Sequence, residues 1–180
     1  MTEEQATQDN SKLKLILGGS IASVLAAGVI GFLVYSSICP CDRTPGGFLF
    51  GDDSDGQVND WSFANDVELC QLQIYDGIRP HSINLNCMAT PEGEMYLSCS
   101  VCDTKYWAAR VGENERGVMR LDGVVYPVYL NRVTDSATMD RAWRARVTKL
   151  QIHGGPGNPA PPTNAPRADR WWTFQVTSRG

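Results

Sequence analysis

The feature that most constrains this chain is a long run without a charged side chain, from Leu15 to Ile38. As an α-helix this run reaches about 36 Å, whereas the hydrocarbon core of a bilayer is about 30 Å thick. A buried helix of a soluble protein is rarely apolar on all sides over such a length. The run therefore predicts one transmembrane helix over residues 13–38, preceded by a disordered cytoplasmic tail of residues 1–12.

The anchor is expected to stay attached to the mature protein. Its apolar run is longer than the roughly 7–15 residues of a signal-peptide core, and no A-x-A-like cleavage site follows it. Ile38 precedes Cys39 at the position where a lipoprotein signal carries a small residue.

The flanking charges predict the orientation of the anchor. Lys12 and Lys14 adjoin its N-terminal end, and Arg43 is the nearest cation on the other side. The positive-inside rule then places the N-terminus in the cytoplasm and the domain on the periplasmic or extracellular side of the inner (plasma) membrane. All six cysteines follow the core of the helix, which suits an oxidising compartment.

Small residues recur at every fourth position of the predicted span, and they are Gly19, Ser23, Ala27 and Gly31. Such a row lets two membrane helices approach closely, so a helix–helix partner is one interpretation. The other is that small residues are common in membrane spans.

The remainder is long enough for one compact domain, which we place at residues 61–180 after a Gly/Asp-rich linker at 39–60. The net charge is −4, and no Lys/Arg cluster interrupts the acidic balance of the domain. Binding to nucleic acid is therefore not expected, because it requires cations that neutralise phosphates.

Alternating apolar residues predict a first strand at Leu69–Tyr75 and a hairpin that pairs Ser82–Met88 with Met95–Cys102. The apolar positions of this hairpin are all odd-numbered, so its loop has an odd length. A Glu92-Gly93-Glu94 loop places Cys87 opposite Cys99, whereas a Pro91-Glu92-Gly93 loop makes them diagonal neighbours.

A second hairpin joins Gly117–Leu121 to Val124–Val133 through Asp122-Gly123, a strong two-residue turn signal. Thr134 or Asp135 caps a helix that continues to Leu150. Its apolar stripe is Met139, Trp143, Val147 and Leu150, and its outward cations are Arg141, Arg144 and Lys149. A last strand covers Trp171–Thr177. This order predicts a mainly β fold, a small antiparallel barrel or curved sheet with one amphipathic helix, preceded by the transmembrane helix.

The cysteines of the domain favour a structural role. Cys99-Ser-Val-Cys102 lies in a predicted strand rather than before a helix, which argues against a thioredoxin-like site. Covalent haem attachment needs a histidine where Asp103 stands. A zinc site formed with Cys39 and Cys41 would require the segment beside the membrane to fold onto the domain. One or more disulfides, or buried thiols that pack as small hydrophobic groups, are expected instead. The core pairs would be Cys87–Cys99 or a bridge to Cys70, and the four candidates are Cys70, Cys87, Cys99 and Cys102.

The polar side of the first hairpin carries the candidate ligand site. Ser98, Ser100 and Lys105, with Arg79 nearby, are hydroxyls and cations of the kind that hold a phosphate. His81 begins a strand and is a further candidate. The chain has two histidines, so no metal site is predicted. A solvated outer sheet face is the alternative, and no catalytic residue is assigned.

Taken in order, these motifs resemble the flavin/deazaflavin-binding split β-barrel superfamily, which includes pyridoxamine-phosphate-oxidase-like and nitroreductase-like proteins. The resemblance covers about Asp60 to Ser178 and is carried by the segments 79–84, 93–98, 105–107, 120–126 and 132–135. It implies a split barrel that binds FMN or a deazaflavin. Ser98, Ser100 and Lys105 would hold the phosphate, and Tyr106 or Trp107 would line the ring pocket.

Two functions follow from the sequence. One is a membrane-anchored flavin- or deazaflavin-type oxidoreductase. The other is a non-catalytic, disulfide-braced accessory subunit that docks onto a membrane complex through its small-residue helix face.

Overall fold

The computed structural model describes residues 3–38, 40 and 44–180, and the side chains from residue 16 onward within those ranges. The predictions that concern Cys39, Cys41 and Arg43 lie outside the described residues. Contacts divide the chain into a first unit that ends at Ile38 and a second that begins at Cys39.

The first unit is helix α1, Glu3–Ser37. Its residues Ile16–Ser37 have a mean hydropathy of 2.1 and are long and apolar enough to cross a membrane. The hydroxyls of Ser20 and Ser23 donate to the carbonyl oxygens four residues earlier, both at 2.9 Å, so they are satisfied within the helix. The helical backbone includes residues 3–12, where the sequence suggests a disordered tail. Partnering through the small-residue face stays a prediction.

In the part of the second unit that the structure describes there are eight strands and one long helix. The strands are β1 Asp52–Asp53, β2 Cys70–Asp76, β3 Arg79–Leu85, β4 Cys87–Ala89, β5 Met95–Cys99, β6 Glu115–Leu121, β7 Val124–Val133 and β8 Trp172–Ser178, and the helix is α2 Ser136–His153. They form one sheet of order β3-β2-β6-β7-β8-β5-β4, antiparallel throughout, with β1 added in parallel to β7. The predicted mainly β fold with one amphipathic helix is confirmed.

The two ends of this sheet are joined in sequence. Strand β3 ends at Leu85 and β4 begins at Cys87, so only Asn86 separates the two edge strands. Two Cα atoms two residues apart lie at most about 7 Å from each other. The sheet must therefore curl until its edges meet, which makes it a split barrel rather than an open sheet.

This closure corrects the first predicted hairpin. Residues 79–85 pair with β2, in register from Asp76↔Arg79 to Cys70↔Leu85, and only residues 87–89 pair with β5. Cys87 faces Leu97, so the Pro91-Glu92-Gly93 loop is the right alternative and Cys99 is a diagonal neighbour. The residues Ser82 and Ser98 therefore do not share one continuous hairpin face.

The second hairpin and its helix are confirmed. Strands β6 and β7 pair from Leu121↔Val124 outward, and Asp122 and Gly123 have φ of 46° and 86° as a two-residue turn needs. Asp135 caps α2, because its side chain accepts the Thr138 N–H at 2.8 Å.

The core fills the barrel and also lies beneath α2. The barrel interior holds one face of every long strand, including Leu72, Met119, Val128, Leu97 and Phe174. On the outside of the sheet, Met88 and Tyr96 pack against Ala142 and Ala145 of α2.

The later residues of the predicted linker at 39–60 belong to the barrel wall and do not form a free connection. Gly46 exchanges two backbone hydrogen bonds with Ser82, at 2.8 and 2.9 Å. Leu49 is buried and its N–H donates to Gln73 Oε1 at 2.7 Å.

Candidate functional site

The strand directions bring all five predicted ligand residues to one end of the barrel. Strands β2, β5 and β7 finish at this end, and β3, β6 and β8 begin there. We call it the upper end. Ser98 lies near the end of β5, Ser100, Lys105 and Trp107 follow it, and His81 lies near the start of β3.

Ser98 lies on the outer face of the sheet, against α2. It is buried and faces Thr173 of β8, which is also buried. The Nη1 group of Arg146 lies 3.4 Å from its hydroxyl oxygen and donates to it. The cation that Ser98 contacts is therefore on the helix and is not Lys105.

Arg146 of α2 was not among the predicted ligand residues, but it lies beside Ser98. It is only 5% exposed, and its guanidinium donates to Asn158 Oδ1 at 2.6 Å and lies 4.4 Å from the centre of the Trp171 ring. Its Nε has no hydrogen-bond partner, and among the described residues no carboxylate forms an ion pair with it. Burial lowers the pKa of Arg146 to about 10, so the group is charged at neutral pH.

A signal for Arg146 was present in the sequence. The residue comes three positions after Trp143 and four before Leu150, so it lies beside the apolar stripe of the helix. A helical wheel therefore places this arginine toward the sheet.

Ser100 and Lys105 do not join Ser98 in one pocket. Ser100 is half-buried and Lys105 is exposed. Within the part of the chain that the structure describes, no hydrogen bond or ion pair joins the Lys105 ammonium to either serine. These three residues share an end of the barrel without converging on one point.

Trp107 is a core residue. It is buried, and its ring centre lies 4.9 Å from that of Phe174 inside the barrel. The chain after β5 thus folds over the upper end and inserts this indole as a plug. Its neighbour Tyr106, which is half-buried, is the aromatic residue left near solvent.

His81 is buried beneath Tyr106, with ring centres 4.5 Å apart and 6% of the histidine exposed. Its Nδ1 has no partner among the described residues. Burial, with Arg79 and Arg110 adding to it against Asp76, lowers the pKa of His81. The imidazole is therefore neutral at neutral pH.

Tyr106 is held by a small charged network. Its hydroxyl donates to Asp76 Oδ2, and the Arg110 guanidinium lies 3.4 Å from its ring centre. Arg110 also contacts Asp76 at 3.3 Å. The hydrogen bond to Asp76 raises the pKa of Tyr106 and lowers that of Asp76.

Arginine–aromatic stacking recurs at this end. Besides the pairs Arg110–Tyr106 and Arg146–Trp171, the Arg132 guanidinium lies 3.5 Å from the ring centre of Trp172. The amino-acid sequence shows no basic cluster in the domain, because these arginines come from separate segments and are brought to one end only by the barrel.

The four candidate cysteines form two disulfides. Cys70 bonds to Cys87, which confirms the predicted bridge to Cys70, and Cys99 bonds to Cys102. The alternative Cys87–Cys99 pair is absent. The first bond holds β2 against β4 at the kink around Asn86, and the second closes the turn after β5. Because Cys99 and Cys102 are bonded to each other, neither is a thiolate ligand for zinc.

The prediction that Lys149 points outward from α2 with Arg141 and Arg144 is wrong, because this side chain is only 2% exposed. Its Nζ donates to the carbonyl oxygens of Ala64 at 2.6 Å and Cys87 at 2.8 Å. These two hydrogen bonds offset the free-energy cost of burying the ammonium group, and they attach α2 to the barrel wall.

Comparison with known proteins gives structural neighbours only. No family model and no curated protein matches the chain. A NimC/NimA family protein from Clostridium acetobutylicum is 13% identical, with a TM-score of 0.45, over 65% of this chain and 78% of that one. A protein from Listeria innocua assigned as a pyridoxamine 5'-phosphate oxidase is 10% identical, with a TM-score of 0.44, over 66% and 89%.

The FAD binding protein of Mycobacterium smegmatis is 12% identical, with a TM-score of 0.42, over 68% of this chain and 97% of that one. At such identities and TM-scores the likeness carries no conclusion about what this chain binds.

Proposed function

We propose that this chain is a membrane-anchored split-barrel protein whose upper end binds a phosphate-bearing planar cofactor of the flavin or deazaflavin type. The phosphate is held by Arg146 and Ser98, with Ser100 and Lys105 on the adjoining segment. The chain is then a flavin-type oxidoreductase.

The observation that carries the proposal is the state of Arg146. A buried guanidinium normally has a carboxylate or another anion as its partner, because an isolated charge is costly to remove from water. Among the described residues, Nε has no hydrogen-bond partner, and the two other nitrogens donate only to the neutral oxygens of Ser98 and Asn158. A phosphate would supply the missing negative charge, and arginine binds phosphate with two parallel hydrogen bonds.

The residues proposed for the ring system are Tyr106 and Trp172. Trp107 is committed to the core, so it is left out of the proposed site. Tyr106 and Trp172 are half-buried at the same end and offer aromatic surface beside cations. When bound, the cofactor supplies the hydride or electron transfer, and the protein supplies position and electrostatics.

The anchor and compartment are part of the same proposal. Residues Ile16–Ser37 would cross the inner membrane, and the two disulfides suit a domain on its periplasmic or extracellular side. A domain in that compartment receives its flavin by export.

The test is FMN binding to the full-length protein in mild detergent. We expect FMN to raise the melting temperature and its fluorescence to change on binding, with the affinity at least tenfold weaker in Arg146→Met. Arg179→Met is the matched control, because it removes an exposed cation next to the final residue of β8, at the opposite end of the barrel. No FMN response in the wild type, or an equal response in Arg146→Met, would overturn the proposal.

Failure to fold is checked separately. Arg146→Met replaces the buried side chain with a shorter, unbranched apolar one, and melting without ligand shows whether the barrel persists. Ser98→Ala provides a second variant that removes one hydroxyl from the same place.

A further inference from the structure

A second concave site lies away from the upper end, between α2 and the turn that joins β4 to β5. The cavity measures about 420 Å³, within the range of about 300–1,000 Å³ typical of small-molecule sites. Its floor is made of small or buried residues, Ala89, Thr90 and Ala145. The turn is at the opposite end of β5 from Ser98, so this site is distinct from the one proposed for the cofactor.

One wall of the cavity is cationic. Arg141 and Arg144 are three positions apart on α2, so they are neighbours on one face and repel each other. Arg141 lies 3.8 Å from Glu94, which offsets its charge only partly. Arg144 is exposed and forms no ion pair with any residue for which the structure gives side chains. An anion between the two would relieve the repulsion.

The opposite wall carries one negative charge. Glu92 lies on the turn and lines the cavity together with Pro91. Its carboxylate disfavours a ligand with two or more negative charges, such as a phosphate, and attracts an ammonium group. The Thr90 hydroxyl accepts the Glu94 N–H at 3.3 Å, which leaves its own proton available as a donor.

We propose that this cavity binds a free amino acid. Its carboxylate lies on Arg144 and Arg141, its ammonium group lies on Glu92, and its side chain rests on Ala89, Ala145 and Pro91. The charges on the two walls match the two charged ends of a zwitterion, and the floor of small residues leaves room for an aliphatic side chain.

The experiment compares three probes of one shape on the full-length protein in mild detergent at matched ionic strength. L-valine carries both charges, isovalerate lacks the ammonium group and isobutylamine lacks the carboxylate. We expect valine to bind, by calorimetry and by a rise in melting temperature, and the other two to bind at least tenfold more weakly.

Two variants and a control complete the test. Arg144→Ala and Glu92→Gln should each weaken valine binding at least tenfold, whereas Arg116→Ala, an exposed arginine on β6, should leave it unchanged. The substitutions are at exposed positions, so the fold should persist. Absence of binding by valine overturns the proposal, and so does isovalerate binding as tightly as valine with no effect of Glu92→Gln. Flavin binding is not needed for any of these outcomes.

Discussion

The Lys149 ammonium lies 3.6 Å from the Cys87 sulfur and donates to the Cys87 carbonyl oxygen at 2.8 Å. A charged helix residue thus contacts the strand and the disulfide that close the barrel. Because α2 is anchored there through a buried amine, the ionisation of that amine is linked to the stability of the fold.

The lowered pKa of Lys149 predicts how the free energy of unfolding changes at alkaline pH. Burial lowers the pKa of Lys149 from 10.5 to about 8. Between these two values the unfolded chain holds a proton that the folded chain has released, so raising the pH favours the folded state. From pH 7 to 9.5 the gain is at most about 2 kcal/mol. Urea unfolding at both pH values, followed by tryptophan fluorescence, measures it.

The matched comparison for this prediction uses two lysine variants. Lys149→Met should lose the alkaline gain, whereas Lys105→Met removes an equal charge at an exposed position and should keep it. All five tryptophans lie between Trp61 and Trp172, so their fluorescence reports on the second unit alone. An unchanged alkaline gain in Lys149→Met would contradict the assignment.

The lowered pKa of His81 predicts that the free energy of unfolding decreases in acid. Its pKa in the folded protein is lowered from 6.5, mainly by burial. As the pH falls through about 6.5, the unfolded chain takes up a proton that the folded chain does not, and the folded state becomes less favoured. His81→Phe should remove this part of the acid sensitivity. Urea midpoints at pH 8 and pH 5.5 test the difference, and an identical decrease in both proteins would count against it.

The two disulfides are expected to contribute unequally to stability. Cys70–Cys87 joins residues 17 apart and both cysteines are fully buried, whereas Cys99–Cys102 joins residues 3 apart. In the chain-entropy model these loops correspond to about 3 and about 2 kcal/mol. Replacing the first pair with alanine also leaves a core cavity.

Denaturant unfolding of the two double variants measures this order. Cys70→Ala with Cys87→Ala should lower the free energy of unfolding more than Cys99→Ala with Cys102→Ala. Equal losses would contradict the expected order, and a larger loss for the second pair would show that the turn after β5 matters more to the fold than the closure at Asn86.

The elements that local chemistry determines were predictable from the sequence. Asp122-Gly123 specifies a turn through the positive φ that both residues adopt, and Asp135 specifies a helix start through the donor that it satisfies. These signals depend on neighbours within a few residues. The alternation of apolar side chains likewise indicated strands and their inner faces.

The closure of the barrel was not predictable in the same way. A period of two indicates that residues 82–88 are extended, but it does not show that the first part pairs with β2 and the second with β5. The same limit explains why the residues of the site were not predicted together. Arg110, Arg132 and Arg146 come from three separate segments, and Lys149 is buried because two carbonyl groups from distant segments meet its amine.

Substitution of Trp107 distinguishes a structural role of the segment after β5 from a role in ligand binding. Its indole is buried against Phe174 at 4.9 Å, so Trp107→Ala should lower the free energy of unfolding by about 3–5 kcal/mol, the usual cost of removing a large buried aromatic side chain. Tyr106→Phe, at the half-buried neighbour, removes only the hydroxyl that donates to Asp76 and should change stability much less. Urea unfolding of both variants measures the contrast. If Trp107→Ala unfolded like the wild type but lost FMN binding, the indole would belong to a ligand pocket and the description of it as a barrel plug would be wrong.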